Sequence, residues 1–203
     1  MASKIIVDQL QTTSLALNAL TLPASNATTG QYLQDNGSGT LSWSTVAGAT
    51  PKIGQVLQAQ KTDVFTSASA SWIDITDLTI TITPTLATSK ILVISNVIGL
   101  VTYAAAHLGL RLLRDTTDIA LGDTAGSRTR ESGGIYLADA GGAFGTIATT
   151  WLDEPASASA LVYKMQGWAE STNTFYINRS QTDTDSAGYG RTVSTITVME
   201  YLV

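Results

Sequence analysis

The chain alternates apolar and polar residues over many short stretches, which is the pattern of half-buried β-strands. WIDIT and DLTITITP, at 72–84, both alternate Ile or Leu with polar residues, but the apolar phase slips between Ile75 and Leu78. This slip predicts a bulge at Thr76–Asp77. Pro84 is expected to end the run, because proline has no N–H to donate to a strand ladder.

The stretch KILVISNVIGLV, at 90–101, is apolar on both of its faces, which predicts a central strand covered on both sides. HLGLRLLRD alternates leucines, and a tight turn at Asp115–Thr116 is expected to lead into TDIALGD. Further strand candidates are ALVYKMQGWAE, TFYINRS and TVSTITVMEYLV. Helical periodicity is nearly absent. The sequence therefore predicts an all-β protein, built as an antiparallel β-sandwich or jelly roll.

Residues 1–52 have a different character, with short strand candidates (KIIVDQL, ALTL and TLSWSTV) joined by the turn-rich ASNATTG and DNGSG. Asn36-Gly37 predicts a type I′ hairpin that places YLQ against TLSW. This region has too few apolar residues to close a core alone. We therefore expect an extended, β-rich N-terminal arm at 1–52, serving attachment or trimerisation, and a C-terminal β-sandwich knob at 53–203, joined through VAGATPK.

Composition narrows the possible partners. Charged residues make up 13 % of the chain, against about 25 % in typical soluble proteins. A net charge of −5 offers nothing to neutralise a phosphate backbone, so no nucleic-acid partner is expected. No stretch reaches the ~18–20 apolar residues of a membrane helix, and no signal peptide is recognisable. We therefore expect a soluble protein made in the cytoplasm, without membrane insertion.

Candidate catalytic chemistry is sparse. His107 is the only histidine and lies in an alternating apolar stretch, where a packed or hydrogen-bonded side chain is expected. The chain has no G-x-S-x-G motif and no cysteine, which argues against a Ser–His or Cys nucleophile. Asp153 and Glu154 are adjacent, so on a strand they point to opposite faces and do not form a glycosidase pair. The sequence predicts no enzyme, no cofactor and no metal.

The polar segment SQTDTDSAGYG separates two strand candidates near the C-terminus. Asp183 and Asp185 could offer carboxylates to a cation, but the third ligand, the fixed glycine and the closing glutamate of a calcium loop are not aligned. Arg179 and Arg191 bracket the segment, and Tyr189 stands between two glycines. These features predict an exposed contact loop, and whether it also binds a cation stays open at this point.

Arg128 and Arg130 lie in a second polar segment, AGSRTRESGG. The guanidinium group carries five donors in a planar fork and is desolvated more easily than an ammonium group, so it suits subunit interfaces. We therefore expect Arg128 and Arg130 to lie at an interface.

Three long segments resemble the C-terminal β-domain of virion structural proteins of tailed bacteriophages, notably those of marine and cyanobacterial hosts. They are TSKILVISNVIGL, RLLRDTTDIALGDTAGSRTR, and the ending from WLDEPASASALVYKMQGWAE to TVSTITVMEYLV. TLPASNATTGQYLQDNGSGTLSWSTV also resembles a segment of phage tail-fibre-like appendage proteins. The resemblance spans roughly residues 20–203. It implies a jelly-roll or TNF-like knob, assembled as a homotrimer on the exterior of the virion, and it brings no catalytic residues.

Two placements in the virion follow from this resemblance. A tail-fibre or receptor-binding protein would dock through its arm to a tail adaptor and contact a host surface receptor or polysaccharide. A capsid cement or decoration protein would grip the major capsid protein with its arm and stabilise the head. We favour the first, because GQYLQDNGSGTLSW resembles segments found mainly in appendage proteins. Both place the protein in the virion after assembly in the host cytoplasm. A small depolymerase is disfavoured, because no clear acid pair is present.

Overall fold

The computed structural model describes residues 23–35, 37, 40–45, 52–102, 106–137, 144–171 and 173–203. Within these residues every regular element is a β-strand, as the alternation predicts. None of them belongs to a helix with the length and apolar character needed to cross a membrane. The chain divides between Thr50 and Pro51 into two compact units. The strand candidates KIIVDQL and ALTL lie outside the described residues.

The first unit contains an antiparallel hairpin of β1 (Gln31–Asp35) and β2 (Leu41–Thr45), so the predicted pairing is confirmed. The predicted two-residue type I′ turn at Asn36-Gly37 is wrong, because the register pairs Asp35 with Leu41 and a two-residue turn would pair it with residue 38. The Asp35 carboxylate accepts a hydrogen bond from the Gly37 N–H at 3.0 Å. This local side-chain bond favours a wider turn than the Asn-Gly pair alone suggests.

The second unit is a sandwich of two antiparallel sheets. The strands of the first sheet are β3 (Ile53–Lys61), β4 (Phe65–Ser67), β6 (Lys90–Val101), β10 (Gly145–Asp153), β12 (Phe175–Ile177) and β13 (Ser194–Tyr201). The strand β6 pairs with β10 on one side and, in succession, with β13 and β12 on the other. The edge is formed by β3 against β13 and β4 against β12. The first sheet is therefore four strands wide.

The strands of the second sheet are β5 (Ile73–Ile82), β7 (Ala106–Arg114), β8 (Thr117–Ile119), β9 (Gly133–Leu137) and β11 (Leu161–Ala169). The order is β5, β11 and β7, followed by β8 and β9, which pair with successive parts of β7. The chain crosses repeatedly between the two sheets, and its first and last strands pair in the first sheet. This is the order of an eight-stranded jelly roll in which three of the strands are interrupted.

Local sequence rules account for several details of this sandwich. The predicted irregularity in β5 is confirmed, since Asp77 has a φ of 64° and the register with β11 shifts opposite it. The two-residue turn at Asp115–Thr116 joins the paired residues Arg114 and Thr117. Asp115 takes a positive φ of 54°, a conformation that aspartate tolerates better than most residues. The irregularity in β5 and the turn after β7 could therefore both be predicted from the sequence.

The core lies between the sheets and is lined by the inward residues of each alternation. In β11 every second position is buried, including Tyr163 and Met165. The strand β6 is central, as predicted, and its residues Ile91, Val93 and Val97 are fully buried. The prediction that β6 is covered on both faces is wrong for the single chain, because Ile94 on the opposite face is 37 % exposed.

Candidate functional site

The predicted contact loop spans residues 178–193, between β12 and β13, and its base is buried. Asn178 has no exposed surface and a φ of 63°. Its amide group donates to the carbonyls of Lys61 (2.7 Å) and Asp63 (3.1 Å), and its Oδ1 accepts from Ser194 Oγ at 2.7 Å. The buried amide is therefore fully hydrogen-bonded, as buried polar groups must be to avoid a large desolvation cost. It fixes the start of the loop to the end of β3.

Above this base the loop is closed by an ionic cluster of Arg179, Asp183 and Arg191. The backbones of Arg179 and Arg191 form an antiparallel bridge, and Asp183 lies between their guanidinium groups. Arg191 Nη2 is 2.5 Å from Asp183 Oδ1, and Arg179 Nη1 is 3.5 Å from Asp183 Oδ2. The Arg179 guanidinium also stacks on the Tyr176 ring, 4.8 Å from its centroid. The structure thus brings together three of the residues that the sequence singled out for this loop.

The remaining predicted contact residues line the outer part of the same loop. A concave surface is formed there by Asp183, Thr184, Asp185, Ser186, Tyr189 and Arg191. Tyr189 is 43 % exposed, and its N–H donates to the Ser186 carbonyl at 2.9 Å, which orders the tip. The loop is therefore an ordered surface with an exposed phenol ring, a guanidinium group and a carboxylate beside one another.

The carboxylates of this loop are arranged as ion-pair partners. Asp183 is already neutralised by two arginines, whereas a calcium ion needs several free oxygen ligands on one centre. In the described residues, no group of three or more His, Cys, Asp or Glu side chains is placed to hold a metal ion. The geometry therefore favours recognition through the outer face of the loop over cation binding by the aspartate pair.

The second predicted set, Arg128 and Arg130, lies in the segment between β8 and β9. Arg130 Nε donates to the Gly122 carbonyl at 2.6 Å, which ties the segment back on itself. Arg128 is exposed and borders a shallow cleft that also contains Tyr136 and Glu170. An interface role for the two arginines stays a prediction, since Arg130 has an intrachain role in holding the segment.

His107 is a hydrogen-bonded strand histidine, as expected. Its Nε2 lies 2.7 Å from Glu131 Oε2, and the other oxygen of Glu131 accepts from Trp168 Nε1 at 2.8 Å. The hydrogen bond to Glu131 raises the pKa of His107, and this effect exceeds the opposing effect of burial. Gly109 provides the space for this cluster, because a Cβ there would collide with both Glu131 and Trp168. The sequence could flag His107 but not its partner 24 residues away.

Two buried carboxylates were not found by sequence reasoning. Asp153 is buried, and Arg114 Nη1 donates to both of its carboxylate oxygens (2.8 and 2.7 Å). Tyr163 Oη donates to Asp153 Oδ2 at 2.7 Å. The neighbouring Glu154 is exposed and pairs with Lys90. The expectation that these adjacent acids face opposite ways is confirmed. Burial and the bond to Asp153 raise the pKa of Tyr163.

Glu200 is the second buried carboxylate, and it has no cationic partner among its hydrogen bonds. It accepts from Thr85 N (2.5 Å), Thr85 Oγ1 (2.9 Å), Ser89 Oγ (2.8 Å) and Gln55 Nε2 (2.8 Å). Burial alone would raise its pKa, but these four bonds outweigh burial and hold the pKa of Glu200 below its ordinary value. Glu200 therefore joins β13, the start of β3 and the turn between β5 and β6.

Comparisons with known proteins are sparse. No protein-family model matches this sequence, and no curated protein is detectably similar to it. Among solved structures, a similar arrangement occurs in the structure of infectious bursal disease virus, Gx strain, with 11 % sequence identity and a TM-score of 0.34. The match covers 80 % of this chain and 48 % of that chain, so this chain corresponds to less than half of the viral one. At this TM-score the similarity supports no statement about function.

Proposed function

We propose that this chain is a non-enzymatic structural protein of a tailed-bacteriophage virion, displayed outward as a homotrimer, with a tail-fibre or receptor-binding role. The resemblance of three long segments to phage virion proteins supports the class. The observation that carries the recognition role is the loop at 178–193. Its buried base at Asn178 and its ion-paired neck hold Tyr189 and Arg191 at the surface. Exposed aromatic and arginine side chains on a rigid support are typical of residues that dominate binding energy.

A capsid cement or decoration role is the second candidate. The observation that favours it is the division of the chain at Thr50 into a short first unit and a larger sandwich. A decoration protein would use the first unit to grip the major capsid protein, and the sandwich would project outward. In that case residues 1–50 would be the functional part, and the loop would be dispensable.

Copy number distinguishes the two roles. Quantitative mass spectrometry of purified virions would count this chain against the major capsid protein. The receptor-binding role predicts a ratio far below that of the capsid protein, since appendages are few. A ratio near a simple fraction of the capsid count would instead establish the decoration role, and absence of the chain from virions would overturn the proposal.

Adsorption tests the loop itself. Virions carrying Tyr189→Ala should contain the normal amount of this chain but adsorb to host cells about tenfold more slowly or worse, as expected for a loss of ~1.4 kcal/mol or more. Tyr136→Ala is the matched control, because Tyr136 is also an exposed tyrosine, at 59 %, but lies on β9. Equal adsorption by wild-type and Tyr189→Ala virions would remove the loop from receptor recognition.

A further inference from the structure

The outer face of the first sheet is unusually apolar for a surface in contact with water, and the first evidence for this is β6. The sequence of β6 is apolar on both faces, yet the sandwich covers only one of them. Ile94 points away from the core and is 37 % exposed, in the centre of a four-stranded sheet. A strand of this composition is normally buried on both faces. The pattern therefore indicates that something else covers the outer face.

One row across this face is entirely apolar. Val56 on β3 pairs with Met199 on β13, Met199 pairs with Leu92 on β6, and Leu92 pairs with Leu152 on β10. Val56 is 56 % and Leu152 is 47 % exposed. The apolar surface continues at one end of the sheet, where Leu92, Leu152 and Met199 line a depression together with Ile53, Tyr201 and Val203. Lys90, whose ammonium group pairs with Glu154, also borders this depression.

The next rows are uncharged. Adjacent to the apolar row lie Gln58, Thr197, Ile94 and Thr150, again in register across four strands. The third row is formed by Gln60, Thr195, Asn96 and Ala148. We call these three rows the neutral face. The charged residues of the same strands are either buried, as for Lys61 and Glu200, or lie at the end of the sheet, as for Lys90.

The outer face of the second sheet is built in the opposite way. A chain of polar contacts crosses it, from Lys164 to Asp74 (2.9 Å), from Asp74 to Gln166 (2.5 Å), from Gln166 to Arg111 (2.8 Å) and from Arg111 to Asp118 (2.8 Å). These ion pairs suit a face in contact with water. Charge is thus distributed between the two sheets as expected if one is solvated and the other is buried in an assembly.

We infer that the neutral face is the surface through which copies of this chain associate, and that its occupant is a second copy. A face without charge offers no electrostatic attraction to a charged partner, whereas its Thr, Gln and Asn side chains carry both donors and acceptors and can pair with their own kind. Four strands about 4.8 Å apart, and three outward rows about 6.8 Å apart, give about 400 Å² per copy. Two copies would bury about 800 Å², at the small end of interface sizes, where association is weak.

This inference rests on the proposed homotrimer, and it names the face that the trimer uses. In a cyclic trimer the neutral faces meet around the three-fold axis, so one part of each face contacts a different part of the next copy. It places an interface on the first sheet, separate from the one predicted at Arg128 and Arg130. A closed cyclic assembly through this face would also cover the apolar row, in which Val56 and Leu152 are exposed and Leu92 and Met199 are partly buried, and which otherwise resembles an aggregation-prone patch.

A charge placed in the centre of the neutral face tests the inference. Ile94→Lys should weaken association by about a hundredfold or more, because an unpaired ammonium group would be buried at the interface. Sedimentation equilibrium of the full chain should then give a mass near the monomer value of 21.3 kDa, where wild type gives a multiple of it. Val162→Lys is the matched control, since Val162 is a β-branched residue on the outer side of the second sheet. Wild-type assembly by Ile94→Lys, or equal disruption by Val162→Lys, would overturn the inference.

Cross-linking provides a test that does not depend on destabilising the chain. Because the chain has no cysteine, a single introduced thiol reacts at a known place. Thr197→Cys on the neutral face should give a covalent dimer with a short bismaleimide, and Thr81→Cys on the exposed side of β5 should not. A monomeric protein whose Cys at 197 reacts slowly would mean that another segment of the same chain covers the face, and would overturn the inference.

The two proposals can fail separately. If the protein is cross-linked at position 197 but is absent from virions, the interface is supported and the virion role is rejected. If the protein is present in virions and oligomeric but is cross-linked only at position 81, the virion role is supported and this interface is rejected.

Discussion

Replacing Glu200 by glutamine tests whether a buried carboxylate without a cationic partner stabilises this fold. In the wild-type protein each carboxylate oxygen accepts two hydrogen bonds: Oε1 from Thr85 N and Ser89 Oγ, and Oε2 from Thr85 Oγ1 and Gln55 Nε2. Glutamine keeps one accepting oxygen but places an NH₂ group opposite two donors. Glu200→Gln therefore changes the hydrogen bonding while conserving the volume of the side chain.

The size of the effect follows from those contacts. Hydrogen bonds to a charged group contribute about 1.5–3 kcal/mol each, and a buried donor left without a partner costs about 1–3 kcal/mol. The hydroxyl of Thr85 can rotate, and the cost of burying the charge disappears in the variant, so part of the loss is recovered. We expect Glu200→Gln to lower the free energy of unfolding by about 2–4 kcal/mol near neutral pH.

Urea denaturation measures this loss. One fixed protein concentration is used, because the stability of the proposed homotrimer would depend on concentration. Glu154→Gln is the control, because Glu154 is exposed and pairs only with Lys90, and surface ion pairs contribute about 0–1 kcal/mol. The pKa of Glu200 is lowered in the folded protein, so its contribution is present above the unfolded pKa near 4.5 and is lost as the pH falls through the folded pKa. The difference between variant and wild type should shrink in acid. An undiminished difference there, or none at neutral pH, would refute the role of the charge.

Three further substitutions probe the other buried or partly buried polar groups. Asn178→Gly keeps the positive φ but removes the bonds to Lys61 and Asp63, and should lower the free energy of unfolding by about 1–3 kcal/mol by urea denaturation, with proteolysis increased within 178–193. Tyr163→Phe removes the hydroxyl bond to Asp153 but leaves Arg114 in place, so a loss of about 1–2 kcal/mol is expected in the same assay. Glu131 raises the pKa of His107 in the folded protein. The Tm of the wild type should therefore exceed that of His107→Gln by its full amount below the unfolded pKa near 6.5, and this difference should vanish as the pH rises through the folded pKa. A Tm difference that is independent of pH would contradict this last prediction.

Features that depend on neighbouring residues were predictable from the sequence. The phase slip before Leu78, the turn at Asp115–Thr116 and the central position of β6 all follow from alternation and turn chemistry. The width of the turn after Asp35 was not, because two local signals compete there. The Asn-Gly pair favours a two-residue turn, whereas the Asp35 side chain bonds to the Gly37 N–H and accompanies a wider one.

Side-chain contacts between residues far apart in the sequence could not be predicted. Glu200 shares the inward phase of Ile196 and Val198, so its burial was available as a signal in TVSTITVMEYLV. Its partners Thr85 and Ser89 are more than 100 residues away in the chain, and no local pattern indicates them. The contact loop lies between these cases. Its residues could be predicted from the composition of the segment. The ion pairs of Asp183 with both Arg179 and Arg191 could not, because they depend on the backbone bridge that closes the loop.

The wrong prediction about β6 is the most informative of these outcomes. Alternation reports how many faces of a strand are covered in the functional state, whereas the single chain shows only how many it can cover by itself. For β5 the two agree, since its outward positions carry threonine and aspartate. For β6 they disagree at Leu92 and Ile94, and the disagreement coincides with a sheet face that lacks charge, while the other sheet is crossed by ion pairs. A sequence selected only for the stability of a monomer would gain nothing from apolar residues at these positions. The excess of apolar residues on β6 is therefore the observation on which the inferred association surface rests.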